Sequence, residues 1–189
     1  MTVDDLAIAQ FTYLLLNNQK IRDVINTIAR KAVFLLGRFT ERKDVLTALQ
    51  GALRQRGYLP IVFDFERPTD RDFTETVMTL AGMCLFIIAD ITKPKSVPLE
   101  LQATVPNYMI PFVPIIAEGE QPFSMFANLR QKYRDWVLEP LCYDSVVNLV
   151  NTFDKAVIEP AKRTRDVLEA KKAEALTTRH VRDYGHGVG

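Results

Sequence analysis

FIIADITKPKSVPLEL, residues 86–101, is the stretch on which the reading of this chain turns. A continuous apolar run ends in Asp90, as a strand covered on both faces should, and a short loop then delivers Glu100 into a new helix. Ligands of open α/β sheets bind outside the carboxyl ends of the strands, so two carboxylates meeting there point to a site for a nucleotide. The plainer account is that Asp90 caps the loop and Glu100 complements the helix dipole.

Working outward, short apolar runs alternate with helical periodicity from Val33 onward, which predicts repeated βα units and a largely parallel sheet of about five strands flanked by helices. Residues 33–36 form the first strand. Thr40 then stands at an N-cap position, Val45, Leu46, Leu49, Ala52 and Leu53 share one helical face, and Gly57 lies where a left-handed cap belongs. Residues 59–63 read as a second strand, and Pro60, which cannot donate to a ladder, sends it to an edge. The flavodoxin-like order 2-1-3-4-5 has strand two at an edge. Phe73, Val77, Leu80 and Ala81 mark a helix closed by Gly82, and residues 83–89 are the central strand.

After a helix that begins near Val97, residues 112–116 read as a fourth strand, with Pro114 in mild conflict with an interior place. Residues 123–133 are helical, 136–138 a short fifth strand, and 145–158 a helix that Pro160 ends or kinks. This divides the chain into a helical appendage over residues 1–32, an α/β domain over 33–160, and a charged helix with a flexible tail over 161–189. The appendage carries Ile8, Phe11, Leu14, Leu15, Ile21, Val24, Ile25 and Ile28 on amphipathic helices broken near Asn17 and Asn18. Such a face has to be buried on the sheet, on a second copy, or on a partner region.

At 189 residues, 48% hydrophobic and 25% charged, the chain has the composition of a globular protein with one good core. A net charge of +1 gives no general attraction to nucleic acid or anionic membrane, so neither is expected as a partner. The opening residues lack a basic n-region, and no apolar run approaches the roughly 18 to 20 residues of a membrane helix, which places the protein in the cytoplasm. Cys84 and Cys142 have no metal-ligand spacing around them and read as buried free thiols. His180 and His186 lack acidic or cysteine partners, so no metal is expected.

ADITKPKSVPLEL, residues 89–101, resembles the "ADLT…N…YEL" segment of bacterial TIR-like nucleotide-binding domains, relatives of the nucleoside deoxyribosyltransferases. VDDLAIAQFTYLLLNNQKIRDVI, followed by LLGRFTERKDVLTALQGALRQRGYLPIVFDFERPTDRDFTETV, is similar to the region after the repeats in some bacterial pentapeptide-repeat proteins, which has a TIR-like fold. The resemblance covers roughly residues 2 to 160. It implies a flavodoxin-like, TIR-like parallel sheet and an NAD(P)+ glycohydrolase or related enzyme that cleaves a nucleotide N-glycosidic bond, with NAD as substrate and no cofactor. It further implies a homo-oligomer that activates by assembly, a pentapeptide-repeat partner region, and a role in bacterial signalling or defence.

The same resemblance makes Glu100 the catalytic carboxylate. Asp90, Thr92 and Ser96 then shape the pocket, Gly37, Arg38 and Phe39 after strand one contact the nucleotide, and Asp64 with Phe65 opens the loop that gates it. The chain departs from the pattern at Gln102, at Pro98 where an aromatic often precedes the glutamate, and at Lys93, Pro94 and Lys95, where the usual Asn is missing. These departures favour the alternative, a non-catalytic TIR-like module that binds a nucleotide or another protein.

Overall fold

The computed structural model describes residues 10, 13, 18–37, 39–64, 81–92, 105, 106, 109–122 and 124–175. Helix α1 (Gln19–Ala29) starts directly after Asn18, where the sequence predicts a break, and Gln19 Nε2 donates to Asp23 Oδ1 at 2.9 Å across its first turn. Strand β1 (Ala32–Gly37) follows, then α2 (Phe39–Gln55), β2 (Leu59–Asp64), β3 (Phe86–Asp90), β4 (Phe112–Ala117), α3 (Ser124–Lys132), β5 (Leu141–Tyr143), α4 (Val146–Asn151), a π-helical turn (Asp154–Ile158) and α5 (Glu159–Ala175).

All five strands are parallel and lie in the order β2-β1-β3-β4-β5, so β2 is an edge as Pro60 predicts. The Leu59 amide donates inward to Lys31 O at 2.8 Å, and by the alternation of a parallel ladder Pro60 faces away from β1, where its missing N–H blunts the open edge. Alternate residues of the inner strands enter two separate cores. Phe34, Leu36, Ile87, Phe112 and Ile116 pack with Phe126 and Leu129 of α3, while Val33, Leu35, Ile88, Val113 and Ile115 pack with Leu49 and Leu53 of α2, Leu149, Phe153 and Ala161. Helices on both faces explain why β1 carries no polar side chain and β3 none before Asp90.

Pro114 is interior after all, between β3 and β5. Phe112 bonds outward, its amide to Trp136 O at 2.7 Å and its carbonyl to the Leu138 amide at 2.9 Å, so Pro114, two residues on, also faces the outer chain. The next donor there would be residue 140, which is itself proline. Neither strand therefore leaves an N–H stranded. The outer chain takes five steps from Val137 to Cys142 against four from Phe112 to Ile116, and this bulge moves the fifth strand to Leu141–Tyr143, leaving the predicted 136–138 segment a single bridge at Val137.

Gly57 has φ +78°, the left-handed cap expected after α2, and the amides of Gly57 and Tyr58 bond to Arg54 O and Leu53 O in a Schellman closure. Ser145 caps α4 through its hydroxyl, which accepts from the Asn148 amide at 3.2 Å. Pro160 does not end the helix. A π-turn placed just before it widens the spiral, so the residue that cannot donate falls where the regular ladder is already interrupted. Helix α5 then lies against the amino edge of the sheet, with Ala161 and Leu168 buried and Arg165 donating to the Cys84 and Leu85 carbonyls at 3.2 and 3.0 Å. Among the described residues no helix is long and apolar enough to cross a membrane.

Candidate functional site

The strand order reverses at β1, whose neighbours are β2 on one side and β3 on the other, and a crevice outside the carboxyl ends of β1 and β3 follows from that topology. Gly37 closes β1 at its rim. A Cβ there would stand 2.9 Å from Leu46 Cδ2, so glycine lets α2 pack close on the strand. The chain enters α2 at Phe39, and Arg42 interrupts that helix with φ −126° and ψ 24°. Thr40 consequently lies inside the first turn rather than at the N-cap, and the regular spiral starts after Arg42.

Arg42 crosses the crevice. Its Nε donates to Asp90 Oδ2 at 3.0 Å, and its Nη2 donates to the Tyr143 hydroxyl at the end of β5. Asp90 Oδ1 accepts the Thr92 amide at 3.0 Å, and the Thr92 hydroxyl accepts the Ala117 amide at 3.0 Å and also bonds the Tyr143 phenol. One network thus ties the start of α2 to the ends of β3, β4 and β5. Asp90 and Thr92 are buried, and the Arg42 ring contact with Tyr143 is 6.0 Å from guanidinium carbon to ring centre.

Burial opposes the Arg42 charge, yet the hydrogen bond and negative charge of Asp90, followed by Tyr143, outweigh it and hold the guanidinium above its ordinary 12.5. Burial also pushes the Tyr143 phenol above its ordinary 10.0, Asp90 adds to that, and Arg42 and Thr92 pull the other way. At neutral pH Arg42 is a cation and the Tyr143 phenol is neutral. Asp90 caps its own turn, the plainer of the two roles read from sequence.

Of the residues read as a site, Gly37, Asp90 and Thr92 are described in full and converge on the carboxyl edge; Asp64 ends β2 and Phe39 opens α2, as backbone. Glu100, Arg38, Phe65 and Ser96 lie outside the described residues. Arg42 and Tyr143 escape a reading by sequence because they meet Asp90 only through the fold, although the arginine three residues into a helix after a strand-ending glycine is a signal that could have found the first. Cys84 is buried, which pushes its thiol up to about 12, but Cys142 is exposed. The expectation of two buried thiols fails at Cys142 because β5 is an edge strand. Among the described residues no cluster of three or more His, Cys, Asp or Glu is arranged to hold a metal.

The order 2-1-3-4-5, wholly parallel with helices on both faces, makes this a flavodoxin-like α/β protein. No family model matches the sequence, and no curated protein does. Among solved structures, a diflavin flavoprotein A3 from Nostoc sp. is similar, 12% identical over 77% of this chain and 96% of that one, with a TM-score of 0.46. The similar protein is named a flavoprotein, which runs against the expectation of no cofactor, and that expectation is not carried further. At this level of similarity the comparison does not assign a ligand to this chain.

Proposed function

We propose that the protein binds a nucleotide in the crevice outside β1 and β3. The observation that supports this is the Arg42–Asp90 pair, a cation and a buried anion built across the point where the strand order reverses. Pairs of this kind are expensive to desolvate and add little stability, so a position at the ligand edge argues for binding.

The sequence of the following segment adds chemistry to that reading. Glu100, ten residues beyond Asp90 in a TIR-like context, is the carboxylate proposed to cleave the N-glycosidic bond of NAD(P)+ in the cytoplasm. The C1′–N bond breaks with its electron pair leaving on nicotinamide, Glu100 stabilises the cationic C1′, and water adds its oxygen there and releases a proton, giving ADP-ribose and nicotinamide. Asp90, already paired with Arg42, is not the nucleophile but the floor of the site. Self-assembly activates the enzyme in this reading.

The same observation favours a second reading, a module that binds without turnover, because the buried carboxylate the crevice offers is engaged by Arg42 and Thr92. Nicotinamide release from NAD+, followed by chromatography at several protein concentrations in wild type and Glu100→Gln, separates the two. Release that depends on Glu100 supports the glycohydrolase; nucleotide binding without release leaves the binding module. A thermal-shift panel of NAD+, ADP-ribose, AMP and FMN tests binding itself, since a ligand at 100 times its dissociation constant stabilises by about 2.7 kcal/mol.

A further inference from the structure

We infer that Arg42 is the anion-binding residue of this crevice and that the group it takes is a phosphate or diphosphate; the inference rests on the proposed nucleotide reading and names the part of the ligand that meets this residue. The two partners of the pair differ in what they present to an incoming molecule. The Asp90 side chain is 1% exposed and that of Arg42 25%, so the carboxylate is enclosed and Arg42 is the partner that solvent or a ligand can reach.

A guanidinium carries five N–H donors. Asp90 takes one and the Tyr143 hydroxyl another, which leaves three with no partner among the described residues. The surplus at the mouth is one of donors, and its complement is an oxyanion. Neutralising Asp90 would need a single anchor. The second anchor, from a residue 101 positions along the chain, fixes the plane of the guanidinium, and a fork already fixed loses less entropy when it grips a phosphate with two parallel bonds. The break in α2 falls at Arg42 itself, whose side chain reaches the ends of β3 and β5. Asp90 and Tyr143 are then positioning residues, and Arg42 is the contact.

The test is calorimetric titration of adenosine, AMP and inorganic pyrophosphate into the full chain, wild type against Arg42→Gln, Arg42→Lys and Tyr143→Phe, with circular dichroism on each variant. AMP should bind wild type more tightly than adenosine. Arg42→Gln should weaken AMP about 10- to 100-fold, toward the adenosine value, without altering adenosine, as the loss of charge-assisted hydrogen bonds implies. Arg42→Lys, which keeps the charge and loses the fork, should recover part of the difference and serves if the Gln variant does not fold; Tyr143→Phe should show a smaller loss confined to the phosphate-bearing ligands. AMP bound equally by wild type and the Arg42 variants overturns the inference and leaves the nucleotide reading standing. Pyrophosphate bound through Arg42 with no affinity for AMP or adenosine keeps the anion site and removes the nucleotide. No binding of any of the three removes both.

Discussion

Removing Arg42 should cost the fold more than removing Asp90, although the two form one pair. In Arg42→Met the Asp90 carboxylate, 1% exposed, keeps only the Thr92 amide as a donor. Breaking a buried ion pair from one side costs about 3–5 kcal/mol, and the surviving amide bond places this case at about 3 kcal/mol. In Asp90→Asn the Arg42 side chain left behind is a quarter exposed and its charge can be hydrated, while the amide oxygen still accepts from Thr92, so the loss is about 1 kcal/mol. For a chain of this size the two correspond to falls in Tm of about 6–12 °C and about 2–4 °C. The double variant has neither a stranded anion nor a stranded cation and should fall at about 2 kcal/mol, below the sum of the singles. Urea denaturation followed by far-ultraviolet circular dichroism gives all three. A single Arg42 variant no less stable than Asp90→Asn, or strict additivity in the double, would refute the argument that Asp90 is the dry partner.

Gly37→Ala should destabilise by about 1–3 kcal/mol, because the new methyl would press on buried Leu46, and the cost should shrink in a Leu46→Ala background; denaturation midpoints read both. In the native protein a thiol reagent should modify Cys142 and spare Cys84, whose burial holds it protonated up to about 12, with both reacting in denaturant as mass spectrometry would register. Arg56, hydrogen-bonded to Asp154 at 2.8 Å, holds that carboxyl below its ordinary 3.8, so its stabilising effect is present above that value and is lost as pH falls through the lower, folded one. Arg56→Gln should therefore be less stable than wild type at pH 7 and converge with it in acid, which thermal melts across that range would detect. The Tyr143 phenol, raised by burial, should titrate above 10.0 in an ultraviolet difference titration compared with Tyr143→Phe.

The strands were legible because strands covered on both faces must be apolar at nearly every position, and β1 and β3 are. Pro60 revealed its edge for a local reason, a missing donor. Pro114 carries the same local signal yet sits inside the sheet, because its conflict is resolved by Pro140 on another strand, and one proline says nothing of a second 26 residues away. Pro160 misleads likewise, since a π-turn before it keeps the spiral going. At the site, Asp90 was legible as a strand-ending carboxylate. Tyr143 was not, because nothing in its own neighbourhood marks an edge tyrosine as a partner 101 residues from Arg42, and for Arg42 the only local signal is its place early in the helix after Gly37, with its partner Asp90 48 residues away.

The facing prolines also govern how the sheet comes apart. The ladder step between Pro114 and Pro140 has no N–H on either strand, and it separates the bridge at Val137 from the three residues of β5, weakening the coupling between them. The outer stitch can open while β3 and β4 stay zipped, and the Glu118 amide, bonded to Tyr143 O at 2.9 Å, should exchange its hydrogen at the rate of that opening rather than of global unfolding. Tyr143 rides on the opening strand. Each breath of the sheet's margin then slackens one of the two tethers on Arg42 and keeps the other, which makes the last strand a modulator of how stiffly the crevice holds its cation.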